Sequence, residues 1–411
     1  MNCRHCNSSL EHTFLDLGFA PPSNAYLSEA DLTKPELYYP LKLKVCTQCW
    51  LVQTEDYAQA DELFLPDYAY FSSTSSSWLA HAKKYVQVIT KQIGLNKKSL
   101  VIEIASNDGY LLKNFVAAGI PCLGIEPTAS TATAAENQGI PVLREFFGKA
   151  LGQQLAAEGK QADLIVGNNV YAHVPDINDF TRGLKAALKS SGTITLEFPH
   201  VMRLIEQIQF DTVYHEHFSY LSLYTVSRIF EQAGLRIFDV EELSTHGGSL
   251  RIYGCHQNAP RVVSELVHHV LLEETLFGLQ SLTTYQTFQS RVDFVKNEML
   301  SFLLSQKREG KSLMAYGAAA KGNTLLNYAG VRPDLVPMVC DAATSKQGKF
   351  MPGSHIPIVK PEILRKMKPD VVLVLPWNIA EEVANQHSYI QEWAGRFVSA
   401  VSKIKTLEEH L

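Results

Sequence analysis

Residues 213–220 read VYHEHFSY, which sets two imidazoles and a carboxylate at consecutive positions among aromatic side chains. An imidazole, with an ordinary pKa of about 6.5, exchanges a proton near neutrality. A neighbouring carboxylate can orient such a ring or accept a hydroxyl. Three chemistries compete for the run: a metal site, a solvated loop, or an acid/base centre in a closed pocket. Joint metal ligation by His215, Glu216 and His217 is disfavoured, because adjacent residues of a strand point to opposite faces. The run also lacks the i, i+4 histidine spacing of a zinc helix.

A metal site is expected elsewhere. Four of the seven cysteines form two knuckles, Cys3 with Cys6 in CRHC and Cys46 with Cys49 in CTQC. Each turn can aim two thiolates at one ion, so the four suit a tetrahedral structural zinc with a filled shell and no catalytic role. Neither pair opens a helix after a strand, which argues against a redox dithiol. Only Arg4, His5, Thr47 and Gln48 lie inside the knuckles, and the net charge is -5, so nucleic acid is not the expected partner. The opening MNCRHCNSSL has no apolar signal region and no apolar run is long enough to span a bilayer, so a cytoplasmic, membrane-free protein is expected.

The elements that must position this chemistry come from the remaining pattern. SLVIEIASNDGYLLKNFVAAG reads as strand, tight turn and helix, PCLGIEP as a second strand, and ADLIVGNNVYAHV and GTITLEFPH as two more. Strands alternating with helices indicate a parallel sheet covered on both faces. Residues 261–308 read as long amphipathic helices. A second, shorter strand–helix series begins with SLMAYGAAAKGNTLLNYAG. The expected architecture is α/β: a zinc-binding module over 1–65, a larger Rossmann-like domain over 66–258, a helical bridge over 259–310, and a smaller Rossmann-like domain over 311–411.

In open α/β sheets ligands bind at the carboxyl ends of the strands. At the first such end lie Glu103, Ala105, Asn107, Asp108 and Gly109; Glu126, ending the next strand, is placed to accept the two hydroxyls of a ribose. This acid-x-small turn lacks GxGxxG and any base for a pyrophosphate, which favours S-adenosylmethionine over a dinucleotide. Ser72, Pro127, Asn168 and Asn169 are expected around the same cofactor. In THGGSLRIYG the paired glycines expose amides, so His246 and Arg251 are candidate sugar or phosphate contacts. In YGAAAKGNT a helix N-terminus with Lys321 suits a phosphate. Lys321 and Asn323, with Trp377 and Asn378 of LPWN, are therefore expected to hold a nucleotide diphosphate.

Five motifs occur in an order that resembles the nucleotide-sugar C-methyltransferases acting at C3 of 4-keto-6-deoxyhexoses. They are the paired cysteine knuckles, Glu103–Gly109, Tyr214–His217, His246–Gly248 and Tyr316–Lys321, and they span essentially the whole chain. The resemblance implies that His217 removes the C3 proton, that Glu216 orients a neighbour or holds the sugar, and that Tyr214 donates to a sugar oxygen. It also implies that His173 shares the pocket, together with Tyr68 or Tyr70. His215 does not match the family pattern and is expected at the periphery. The implied partner is a nucleotide-diphosphate keto-deoxysugar, with the enzyme acting as a monomer. The alternatives are O- or N-methylation of a small molecule, whose lone pair needs no acid/base cluster, or a zinc-containing scaffold that binds S-adenosylmethionine without catalysis.

Overall fold

The computed structural model describes residues 1–55, 57, 71–401 and 405–407. The N-terminal module pairs β1 (His12–Ala20), β2 (Tyr39–Val45) and β3 (Val52–Thr54) in antiparallel fashion. Period-two alternation drives it: in YPLKLKV, Leu41, Leu43 and Val45 are buried while Lys42 and Lys44 stand on the wetter face.

The next strands are β4 (Val101–Ile104), β5 (Cys122–Ile125), β6 (Val142–Leu143), β7 (Ala162–Asn168), β8 (Leu188–Pro199), β9 (Ser219–Tyr220), β10 (Leu235–Leu243) and β11 (Ser249–His256). All but β9 form one sheet in the order β10-β11-β8-β7-β4-β5-β6. The five strands β4 to β8 are parallel, and β11 runs antiparallel to both β8 and β10. β4 is buried along its whole length, as expected for a strand covered by helices on both faces. β9 instead joins the N-terminal module as its fourth strand, antiparallel to β3. The first 65 residues therefore do not complete that sheet alone. They borrow a strand from the histidine-bearing segment.

The last lobe contains β12 (Leu313–Tyr316), β13 (Val339–Cys340), β14 (Ile358–Val359), β15 (Val371–Val374), β16 (Arg396–Ser399) and β17 (Lys405–Thr406), ordered β14-β13-β12-β15-β16-β17. Between the two large sheets lie the helices Glu265–Phe277, Leu282–Gln286 and Phe288–Arg308. One apolar cluster runs through Phe14 and Leu43 of the module, Phe210 and Val213, Phe288 and Met299 of the bridge, and Leu313 and Leu373 of the last sheet. Phe14 stacks on Phe288 at 4.8 Å and meets Tyr285 edge-on at 5.4 Å. The lobes thus share a core rather than hang on linkers. Among the described residues no helix is long and apolar enough to cross a membrane.

The bridge also grips the methyltransferase lobe by polar bonds. Buried Glu274 accepts from the backbone N–H groups of Leu223 (2.6 Å) and Tyr224 (2.9 Å) and sits 2.7 Å from His200 Nε2. These N–H groups open the helix Leu223–Ala233, so the carboxylate caps it from another element. Glu274→Ala strands two helix donors and a buried imidazole, and should lower unfolding stability by about 3 kcal/mol. Denaturant titration checks this value; a loss below about 1 kcal/mol would mean the cap is replaced by water.

Candidate active site

The four cysteine sulfurs lie within 4.8 Å of one another. Cys3 Sγ is 3.5 Å from Cys49 Sγ, and Cys6 Sγ is 3.5 Å from Cys46 Sγ. A zinc tetrathiolate with bonds of about 2.3 Å has sulfur–sulfur edges of about 3.8 Å, so the donor set and its spacing fit zinc. Gln53 Nε2 donates to Cys3 Sγ at 3.2 Å and the Gln48 amide donates to Cys46 Sγ at 3.4 Å, the outer bonds a thiolate site needs. The knuckle residues face the methyltransferase lobe: Arg4 Nη1 donates to the Pro175 carbonyl at 2.9 Å, and His5 Nδ1 meets Asn178 Oδ1 at 2.9 Å.

At the carboxyl end of β4 the chain turns through left-handed backbone at Ala105 (φ 55°), Asn107 (φ 50°) and Gly109 (φ 79°). Glu126, ending β5, fastens the turn by accepting from the Asn107 N–H at 2.9 Å and the Thr128 N–H at 3.0 Å. Ser72 N–H donates to Asn107 Oδ1 at 2.9 Å, and Ser73 N–H to Asp108 Oδ2 at 3.1 Å, so the preceding segment closes over the turn. Burial, with the charges of Asp108 and Glu126, pushes the Glu103 carboxyl well above the usual range. From the end of β7, Asn168 brings a buried amide with neither polar atom bonded among the described residues. Pro127 directly follows Glu126, and Asn169 Nδ2 sits 3.0 Å from His246 Nε2. An orphaned amide, a tight left-handed turn and a paired acid make a cradle that fits S-adenosylmethionine.

Residues 213–218 form a turn that leads into β9, and the side chains of His215, Glu216 and His217 diverge from it. His215 Nε2 donates to the carbonyls of Tyr39 (3.3 Å) and Pro40 (3.2 Å) on the N-terminal module. Glu216 accepts from Asn24 Nδ2 on both carboxylate oxygens, each at 2.8 Å. His217 Nδ1 lies 2.9 Å from the Thr212 carbonyl. A carbonyl only accepts, so the hydrogen sits on Nδ1 and Nε2 carries the lone pair. No described residue bonds to that Nε2. The His217 ring meets His173 edge-on at 4.5 Å and Tyr214 at 4.0 Å, with Tyr220 at 5.9 Å. Burial, then the neighbouring His173, holds the His217 pKa well below 6.5. Burial pushes His173 down to about 4. Both rings are therefore neutral at physiological pH.

The last lobe meets this turn directly. Trp377 Nε1 donates to Asp211 Oδ2 at 2.7 Å, and Thr324 Oγ1 donates to the Val213 carbonyl at 2.7 Å. Lys321 Nζ donates to Asn378 Oδ1 at 3.0 Å and lies 4.6 Å from the centre of the Trp377 ring. A Cβ on Gly247 would come within 2.2 Å of the Trp377 ring, so the His-Gly-Gly segment keeps a glycine for lobe contact. Burial lowers the Lys321 pKa while Asp211 opposes the change. Burial raises the Asp211 pKa to about 6. His246 is pushed down to about 4 by burial and then by the Lys321 charge.

The structure thus gathers His173, Tyr214, Glu216 and His217 in one cluster, and His246, Lys321, Trp377 and Asn378 beside it. Tyr68 and Tyr70 lie outside the described residues. Two expected substrate contacts have partners within the fold. Arg251 is buried in the sheet, with Nη2 on Glu197 at 2.7 Å and Nη1 on Glu241 at 2.8 Å, so its guanidinium is already paired inside the fold. Asn323 turns away from the helix start and donates to the Ser23 carbonyl, docking the last lobe on the first module. Sequence reasoning missed Asp211 and Asn24. Asp211 stands three residues before Tyr214 and could have been noticed as the nearest acid upstream of the run; Asn24 carries no local signal.

A seven-stranded, doubly wound sheet with one reversed strand, a left-handed turn after its first parallel strand and an acid after its second is the fold and site of an S-adenosylmethionine-dependent methyltransferase. Comparison with known proteins agrees. A family described as methyltransferase domain matches residues 78–240, a zinc binding domain matches 3–64, and a C-methyltransferase C-terminal domain matches 244–402. The chain is 32% identical over 405 residues to the C-methyltransferase NovU of Streptomyces niveus, covering 98% of this chain and 96% of that protein. It belongs to this family of zinc-containing C-methyltransferases. Among solved structures, PH0226 of Pyrococcus horikoshii OT3 is similar over 46% of this chain and 95% of its own (TM-score 0.37, 12% identity). The magnesium protoporphyrin IX methyltransferase of Synechocystis PCC 6803 is similar over 44% of this chain and 81% of its own (TM-score 0.33, 14% identity).

A Cβ at Gly109 would stand 2.4 Å from Ile140 Cδ1 on a backbone at φ 79°. Gly109→Ala should therefore open the cofactor turn and weaken S-adenosylmethionine binding by about tenfold or more, a strain of at least about 1.4 kcal/mol. Calorimetry reads the affinity and metal analysis checks that the cysteine site stays loaded. Unchanged affinity would remove Gly109 from the cofactor turn.

Proposed function

We propose that this C-methyltransferase alkylates C3 of a nucleotide-linked 4-keto-6-deoxy sugar, in the formation of a branched deoxysugar. Alkylating carbon requires a nucleophilic carbon, and a C–H beside a ketone becomes one when a base removes its proton while the oxygen charge is stabilised. The observation that carries this reading is the His217 tautomer: Nδ1–H is committed to the Thr212 carbonyl, which leaves the lone pair on Nε2 of a ring packed against His173 and Tyr214.

In this reading the residues divide the work. His217 Nε2 takes the C3 proton. His173 and Tyr214 crowd the ring and supply hydrogen-bonding groups to the sugar oxygens, while Glu216 holds a hydroxyl. Glu126, Asn107 and Asn168 would hold the methyl donor, whose sulfonium supplies an electrophilic methyl when it is bound. Lys321, Trp377 and Asn378 reach the same cleft from the last lobe and suit the diphosphate and base of a sugar nucleotide. His246 stands where the two lobes meet. The shared apolar core supports water exclusion, which strengthens each of these polar contacts.

Three outcomes follow. His217→Asn should lower kcat about 100-fold or more with little change in S-adenosylmethionine affinity. In the wild type, kcat/KM should show no His217 inflection near pH 6.5, because protonation of that ring is displaced to lower pH; an inflection at 6.5 that vanishes in His217→Asn would contradict a buried base. Lys321→Ala should weaken nucleotide-sugar binding while leaving S-adenosylmethionine affinity nearly unchanged, and equal loss of both would count against the assignment of the last lobe.

A further inference from the structure

The cysteine module holds nearly every residue of the catalytic turn. His215 donates to Tyr39 and Pro40 on β2. The Phe218 carbonyl accepts from the Thr54 N–H at 3.1 Å, and Gln53 and Val52 pair with Ser219 and Tyr220. Gln53, fully buried, also donates to Cys3 Sγ and accepts from the Arg4 N–H at 3.0 Å, so the strand that pairs with the end of the turn is tied to the metal ligands. Glu216 completes the series through Asn24, on the segment after β1. His217 is held instead by Thr212, and Val213 by Thr324 of the last lobe.

A buried carboxylate needs donors to keep one orientation. Glu216 is 1% exposed, and one amide donates to both of its oxygens. We infer that the four-cysteine module completes the methyl-transfer pocket through Asn24, a positioning residue whose amide fixes the Glu216 carboxylate in the orientation the methyl acceptor meets. This rests on the reading of Glu216 as an acceptor-facing group. It assigns the module a part in catalysis beyond the stability that a metal site gives.

Asn24→Ala removes the donor, and Asn24→Asp keeps the shape but sets a second carboxylate against the first. The other titratable groups facing this spot are Tyr26, whose phenol is pushed up by burial and by the charges of Asp341 and Glu216, Lys346, 5.2 Å from the Tyr26 ring centre, and His173, beside the Glu216 backbone. Both variants should keep their zinc content and S-adenosylmethionine affinity while kcat falls about 10- to 100-fold. The Asn24→Asp defect relative to wild type should shrink as pH falls from 8 to 6, because one proton shared by two carboxylates restores a hydrogen bond. Wild-type kcat in both variants, or equal defects independent of pH, would overturn the inference. A crystal structure of Asn24→Asp at pH 8 supplies a test that needs no substrate. Glu216 displaced from its wild-type position supports the inference even if the wild type proves inert toward nucleotide keto sugars, which would defeat only the substrate reading. Glu216 unmoved overturns it.

Discussion

The site depends on one hydrogen bond, from His217 Nδ1 to the Thr212 carbonyl. It fixes which ring nitrogen carries the hydrogen, and so which one can act as the base. Burial then removes the competing charged form, since an imidazolium in this apolar setting would lose its hydration without a carboxylate to replace it. The remaining features of the molecule serve to keep this ring, its carbonyl and its neighbours in register.

That requirement accounts for the unusual sharing of elements between lobes. The turn that bears His217 starts against the last lobe through Asp211 and Trp377 and ends as a strand of the cysteine module. The methyltransferase sheet supplies His173 from the end of β7 and the donor cradle from the ends of β4 and β5. A turn anchored on three sides has few alternative conformations, and preorganisation of this kind is what proton abstraction from carbon needs. The cysteine ligands lie one hydrogen bond from β3, the strand that pairs with the end of the turn.

Much of the fold was legible because its signals are local. The cysteine knuckles, the Glu103–Gly109 turn and the acid at 126 each announce themselves within a few residues, and the strand–helix alternation follows from short apolar runs between turns. What could not be read is the pairing of distant segments. Two residues, Ser219 and Tyr220, do not look like a strand of a module nearly two hundred positions earlier. Asn24 gains its role only through Glu216. The internal partners of Arg251 and Asn323 were hidden for a related reason: a guanidinium or an amide that binds a ligand is chemically identical to one that pairs with Glu197 or a backbone carbonyl.

The central claim, that a neutral His217 makes a substrate carbon nucleophilic, is tested most directly by solvent exchange. Incubating a nucleotide-linked 4-keto-6-deoxy sugar with the enzyme in deuterium oxide, without methyl donor, should label C3 in the wild type and fail to do so in His217→Asn. Equal labelling by both proteins, or none by the wild type while methyl transfer still proceeds to an oxygen or nitrogen, would contradict it.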